Sequence, residues 1–270
     1  MPRREPRPPQ ASHAGTAELL NGYRTTSLIV AAVQLGLPEH LAQGPVSPEP
    51  LAERVDADAD ALVRLLRGLA ALGLVEENDD GHALTDAGAE LLPGRPLRDL
   101  AVLVGEEYLP AWSRIADGVR TGRPAFPEVF GTGIWEHRER HPHLNDAFNR
   151  YLGRSEERAG EAIASVLDLD AARVIVDLGG GLGGVLAGLL RSDPRLEGIL
   201  VDLPHVIEGA SARLDAAGVL DRCRLVAGSF FERIPEGGDI YVLRYILHDW
   251  DDERAGAILR RCREAMHERA

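Results

Sequence analysis

Cysteine is nearly missing from this sequence: only Cys223 and Cys262 occur, far apart and without other metal-ligating residues beside them. That excludes a disulfide framework and a cysteine-based metal site, and reads as two buried thiols in a reducing cytoplasm. Positive charge is also short, with 30 Lys and Arg against 43 Asp and Glu and a formal net charge of -13. Such a chain lacks the basic face that a nucleic-acid backbone or an anionic membrane surface requires. No apolar run is long enough to cross a bilayer, and no signal peptide precedes the first helix. What is present is the balance of a soluble globular protein, 44% hydrophobic and 27% charged over 270 residues, with length for one large domain or two ordinary ones. The Pro- and Arg-rich opening, within residues 1–12, reads as a disordered lead.

The first half has helical grammar. From Leu28 to Leu37 apolar residues run nearly all round the helix, so it must be buried on several sides. Short and longer helices follow at Pro50–Val55 and Ala59–Leu72, the second stopped by Gly73. Leu74 to Thr85 has the pattern of a hairpin turning at Asp80-Gly81. Three helices and a hairpin make a winged-helix domain over residues 13–96. Such domains often bind DNA, but the helix that would enter the groove carries only Arg64 and Arg67 behind Asp56, Asp58 and Asp60. Packing and dimerisation fit it better. A helical connector, residues 97–167, gathers Tyr108, Trp112, Phe126, Phe130, Trp135, Phe148 and Tyr151, mostly as core. Some of these could wall a pocket for a flat organic molecule. His137, His141 and His143 stand among charges and read as surface residues, with room for one of them to reach the pocket.

From residue 168 onward strands and helices alternate. Strands are expected at Arg173–Leu178, Gly198–Asp202, Cys223–Ala227 and Ile240–Leu243, with helices between them. A last helix, Asp251–Met266, turns Ala255, Ile258, Leu259, Cys262 and Met266 inward. This is α/β grammar, a parallel Rossmann-like sheet. The first strand ends at Asp177-Leu178 and enters a glycine run, Gly179, Gly180, Gly181, Gly183 and Gly184. There a ligand can approach the backbone at a helix start. Asp202 closes the second strand, where a carboxylate can take the hydroxyls of a ribose. By themselves these features fit a nicotinamide dinucleotide and S-adenosylmethionine equally. Three others decide between them. Leu186 stands where a dinucleotide fingerprint needs glycine or alanine, and Asp177 suits a methionine ammonium through the loop backbone or water. Gly228-Ser229-Phe230-Phe231 offers an aromatic ring to adenine. The fourth strand ends in Arg244-Tyr245-Ile246-Leu247-His248-Asp249-Trp250.

Asp-Leu-Gly-Gly-Gly-Leu-Gly, Val-Asp-Leu-Pro, Ala-Gly-Ser-Phe-Phe and Leu-His-Asp-Trp-Asp-Asp-Glu occur in that order behind Leu84-Thr85-Asp86-Ala87-Gly88. On these motifs nearly the whole chain resembles the small-molecule O-methyltransferases of the caffeate and acetylserotonin type, in their bacterial natural-product branch. The resemblance implies a class I methyltransferase domain behind a winged-helix dimerisation domain, a homodimer, S-adenosylmethionine as cofactor, no metal, and an aromatic acceptor. It places Gly179, Gly180 and Gly181 at the methionine part, Asp202 and Leu203 at the ribose, and Gly228, Ser229 and Phe230 at the adenine. Arg244 falls beside the cofactor and His248 becomes the general base. A neutral imidazole that removes the hydroxyl proton during in-line methyl transfer would speed the reaction. Asp249 either assists the site or caps the following helix, for which Asp251 and Asp252 are better suited.

The chain departs from the family pattern in two places. Ser229 stands where Asp is common. The family also continues past the position of Ala270 with strands that complete the sheet and acidic residues that orient the histidine. The fourth strand is then left at an edge, and the chain is expected to be a piece of a longer protein, ahead of a shortened gene product or a missing piece supplied by another chain. Two other readings remain open: a relative that binds S-adenosylmethionine but catalyses decarboxylation or hydroxylation, and a non-enzymatic winged-helix sensor.

Overall fold

The computed structural model describes residues 15–266, leaving aside the side chains of residues 154 and 155. The expected lead, 1–12, lies outside the described residues. Two compact units divide between Ala125 and Phe126, a boundary inside the segment expected to form a connector.

The first unit opens with α1 (Thr16–Gln34), α2 (Leu37–Leu41), α3 (Pro48–Arg54) and α4 (Ala59–Ala71). The first helix begins earlier than the apolar run suggested and stops before Leu37, because Gly36 takes a left-handed φ of 67°. Only its second half is buried, through Val30, Ala32 and Val33; Leu19, Leu20 and Tyr23 stand exposed. Asp58 caps α4 by accepting the amide of Ala61 at 2.8 Å, and Gly73 follows its end at φ 73°. The hairpin β1 (Val75–Asn78) and β2 (Gly81–Leu84) pairs Asn78 with Gly81. Its turn is therefore Asp79-Asp80, not Asp80-Gly81. Gly81 serves another purpose: a side-chain carbon there would lie 2.5 Å from the Val46 backbone, where Val46 bridges to His82. Helix α5 (Asp86–Ala89) explains the Leu-Thr-Asp-Ala-Gly motif. The Thr85 hydroxyl accepts the Gly88 amide at 3.0 Å and donates to the Gly73 carbonyl at 2.7 Å. Leu37, Leu41, Leu51, Leu62, Leu66, Leu69 and Val75 close the core. Then come α6 (Pro96–Leu103), a π-helical turn at Val104–Tyr108, α7 (Leu109–Trp112) and α8 (Ile115–Thr121). Trp112, one of the aromatics read mostly as core, is 67% exposed.

The second unit starts with α9 (Phe126–Phe130), α10 (Ile134–Arg140) and the long α11 (Pro142–Ala164). Here His137 is buried, packed on Phe126 and Phe130 and stacked on His141 at 4.1 Å. The surface reading fails for His137 because its neighbours in space are aromatic, whatever its neighbours in sequence. Next come β3 (Val174–Leu178), α12 (Gly184–Ser192), β4 (Glu197–Asp202), α13 (Pro204–Ala216), β5 (Cys223–Ala227), β6 (Ile240–Val242) and α14 (Asp252–Ala265). All strand pairs are parallel, in the order β5-β4-β3-β6. Alternation along the strands splits the core in two. Ile175 and Leu200 face α12 and α13 with Leu186, Leu190 and Leu214. Val176, Leu178, Ile199 and Val201 face α14 with Ile258 and Cys262. Leu259, expected inward on α14, is 48% exposed, one position off the buried face. Both cysteines are free thiols, pushed up to about 11 by burial.

Helices α11 and α12 cross with almost no space between their backbones. A side-chain carbon on Gly160 would lie 2.2 Å from the Val185 carbonyl oxygen, and one on Gly188 would lie 2.3 Å from that of Glu157. Glycine is the residue that permits this approach, and it fixes what α11 brings to the sheet.

Candidate active site

Strand order reverses at β3, with β4 on one side and β6 on the other. In open parallel sheets the crevice beyond the carboxyl ends of the strands, at such a reversal, is where ligands bind. Each of the four strands delivers one expected segment there: Gly179–Gly184 after β3, Asp202-Leu203 at the end of β4, Gly228–Phe231 after β5 and Arg244–Trp250 after β6.

Backbone hydrogen bonds tie the first three segments together. The amide of Gly179 donates to the Val201 carbonyl at 2.7 Å, and that of Gly228 to the Asp202 carbonyl at 2.9 Å. Asp202 accepts the Gly181 amide on one carboxylate oxygen at 2.8 Å and the Leu203 amide on the other at 2.7 Å. Burial pushes its pKa up, and those two amides pull it back. Each oxygen keeps a further lone pair for an outside donor such as a diol.

Asp177 sits lower. It is 1% exposed, and its Oδ2 is buried with no hydrogen-bond partner. Burial, then the nearby carboxyls of Glu156 and Asp202, push it up to about 7, against the pull of Arg244 and the Leu186 amide. A side-chain carbon on Gly180 would meet Asp177 Oδ2 and Leu200 Cδ1, each at 2.5 Å. Gly180 is thus needed to seat Asp177. Gly181 is the open position: a carbon there would meet only Asn149 Oδ1, at 3.9 Å.

After β5, the Ser229 hydroxyl accepts the Phe231 amide at 3.2 Å. Phe230 packs edge-on to Trp250 and lies close to Gly179, beside Ile246. After β6, Arg244 pairs with Glu156 at 3.7 Å and lies over the Tyr245 ring at 4.4 Å. Tyr245 holds a left-handed φ of 57°, which costs a non-glycine residue about 1 kcal/mol or more. Its ring stacks on His248 at 5.7 Å. The His248 side chain is 62% exposed, with Nε2 3.2 Å from Asp249 Oδ1. Burial raises the Asp249 pKa, while His248 and the buried Arg138 lower it. Arg138 in turn lies 3.7 Å over the Phe148 ring. Asp251, not Asp249, caps α14, accepting the Arg254 amide at 2.8 Å.

The structure thus gathers Asp177, Gly179, Gly180, Gly181, Asp202, Leu203, Gly228, Ser229 and Phe230 around one loop, with Arg244 at its edge and the His248–Asp249 pair on the next strand end. Sequence reasoning missed Asn149, Glu156 and Tyr245. The first two lie on α11, and only the glycine crossing brings them near; no local pattern marks them.

This arrangement suits S-adenosylmethionine on its own chemistry: an open glycine, a half-buried carboxylate with spare lone pairs, an aromatic ring, and buried carboxyls that outnumber the cations beside them. Comparison with known proteins agrees. The profile of an O-methyltransferase domain matches residues 112–270, and that of an O-methyltransferase dimerisation domain matches residues 17–94. A phenazine O-methyltransferase of Lysobacter antibioticus is 38% identical over 252 residues, covering 92% of this chain and 74% of the relative. The aclacinomycin 10-hydroxylase of Streptomyces purpurascens is 36% identical over 250 residues, 90% of this chain and 67% of its own length. An O-methyltransferase of neocarzinostatin biosynthesis, solved with S-adenosylmethionine and 2-hydroxy-5-methyl naphthoic acid, superposes with a TM-score of 0.82 at 35% identity. That superposition covers 94% of this chain and 80% of the other.

Proposed function

We propose, from the premise that this chain belongs to the S-adenosylmethionine-dependent O-methyltransferase family, that it methylates a phenolic or enolic hydroxyl of an aromatic natural product, with His248 as general base. The observation that carries this reading is the convergence of the glycine loop with Asp202 on one side of the β3 reversal and the His248–Asp249 pair on the other.

S-adenosylmethionine supplies an activated methyl group when bound. The protein's part is to bind, align and move one proton. Gly179, Gly180 and Gly181 would take the methionine part, Asp202 and Leu203 the ribose, and Gly228, Ser229 and Phe230 the adenine. Asp249 holds His248 through Nε2, so the other ring nitrogen, Nδ1, can accept the hydroxyl proton as the oxygen attacks. Trp135 and Phe148, edge to face at 5.7 Å, offer a wall for a flat acceptor.

The dimerisation-domain match and the exposed Leu19, Leu20 and Tyr23 on α1 support a homodimer. The acidic composition supports a protein that binds neither nucleic acid nor an anionic membrane surface, and the two free thiols support a cytoplasmic one. No helix among the described residues is long and apolar enough to cross a membrane. A second reading, hydroxylation, is favoured by one observation, the hydroxylase among the relatives.

Calorimetric titration with S-adenosylhomocysteine tests the cofactor site. Saturable binding is expected, weakened about 10- to 100-fold in Asp202→Ala by the loss of hydrogen bonds to a charged group. No binding by folded wild-type protein would overturn the reading. Product analysis with phenolic acceptors separates methylation, a gain of CH2, from hydroxylation, a gain of oxygen.

A further inference from the structure

Helix α11 borders the glycine loop with one face. Asn149 and Glu156 are two turns apart on that helix and share the face. Asn149 stands beside Gly181. A side-chain carbon on Gly184 would lie 2.6 Å from Glu156 Cβ and 2.8 Å from its Oε2. The face therefore runs along the loop from Gly181 to Gly184, and Glu156 closes its far end. The Glu156 side chain is largely sheltered, at 13% exposure, with Oε1 3.7 Å from Arg244 Nη1.

Among the described residues, carboxyls crowd one another here. Glu156, Asp177 and Asp202 act on Arg244 or on one another electrostatically. The other cation acting on Glu156 is Arg213, whose guanidinium already donates to the Gly153 carbonyl at 2.7 Å and to Glu157 at 3.2 Å. The buried Asp177 Oδ2 has no hydrogen-bond partner. Among the described residues, three carboxyls thus stand near one guanidinium within ion-pair distance, Arg244, with His205 acting on Asp202, a setting that favours a cationic ligand group. Asp177, 1% exposed, is out of reach of such a group. Glu156 packs against Gly184 as Asp177 does against Gly180, but keeps 13% of its side chain exposed.

We infer that Glu156 is the carboxylate that receives the ammonium of the cofactor's amino-acid end, with Arg244 beside it facing the adjoining carboxylate. An α-amino acid carries opposite charges on groups bonded to one carbon, and the Glu156–Arg244 pair presents the reverse pattern on one edge of the loop. Asp177 supports the site from beneath the backbone and makes no contact of its own. This inference rests on S-adenosylmethionine being the ligand of the loop.

The test uses two ligands that share the nucleoside and the thioether: S-adenosylhomocysteine and 5′-methylthioadenosine, which lacks the amino-acid end. Calorimetry on the full chain is expected to show that Glu156→Gln weakens S-adenosylhomocysteine about 10-fold or more and leaves 5′-methylthioadenosine unchanged. Equal loss for both ligands would make Glu156 a support of the loop and overturn the inference, as would no loss for either. If Glu156→Gln does not fold, the wild type decides with deaminated S-adenosylhomocysteine. Weaker binding of that analogue supports an ammonium site; binding equal to the parent compound overturns it. Wild-type protein that binds none of these ligands refutes the cofactor assignment itself, and that result is distinct from all the others.

Discussion

The two banks of the crevice are built by different means. After β3, the loop is held by amide-to-carbonyl and amide-to-carboxylate bonds at Gly179, Gly181 and Gly183, and it runs into α12, whose residues from Gly184 to Leu190 are all buried. After β6, the chain passes through the strained Tyr245 to an exposed His248, on a strand that pairs only with β3 among the described residues. Holding a polar ligand rewards a backbone that is already in place, since nothing has to be ordered on binding. Moving a proton needs a side chain that can reach the acceptor and exchange with it. The first bank has the construction of a binding site, the second that of a site that works by contact.

If the contrast is real, damage to the packed bank should unfold the protein, and damage to the exposed bank should stop chemistry alone. The largest effect is expected from Gly188→Val, which drives a side chain into the Glu157 carbonyl and the Glu161 amide. Urea denaturation should show a loss on the order of 3 kcal/mol or more, or no folded protein at all. His248→Ala should leave that denaturation curve within about 0.5 kcal/mol, since the residue is exposed. It should lower kcat about 10²- to 10⁴-fold with S-adenosylhomocysteine affinity unchanged. Full methylation rates in that variant would erase the distinction between the banks. A further effect concerns pH, spread over about three pH units. Asp177 in the folded state titrates near 7 against an ordinary 3.8. Between those values the folded protein holds a proton that the unfolded chain has released, so stability falls as pH rises through the window, by up to about 4 kcal/mol from this group. Asp177→Asn should show a shallower fall between pH 4 and 7 in thermal unfolding. Equal slopes would mean that Asp177 is not shielded beneath the loop.

How much of this was legible in the sequence follows from which contacts are local. β5 could be read to the residue and the other three strands to within a residue or two, because a buried parallel strand shows itself as a short apolar run. The glycine run and Asp202 could be read because each stands at the end of a strand that its own apolar run marks. The hairpin turn was misplaced by one residue, since Gly81 answers to Val46, more than thirty positions away. Leu259 was assigned inward because a helical period tolerates one extra apolar residue at its margin. His137 and Glu156 were misread or missed for one reason: what surrounds them is decided by helices meeting in space, and their flanking residues carry no sign of it.

The glycine contact between α11 and α12 also makes α11 a rigid beam. Phe148, at one end, belongs to the aromatic group around Arg138; Glu156 stands about 12 Å further along, against the loop. A beam clamped at Gly160 and Gly188 cannot bend to absorb a larger or differently shaped acceptor; it can only tilt. Selection for new acceptors, natural or in the laboratory, should then carry a correlated change in donor affinity. Variants that escape this trade-off should be those that first loosen the clamp.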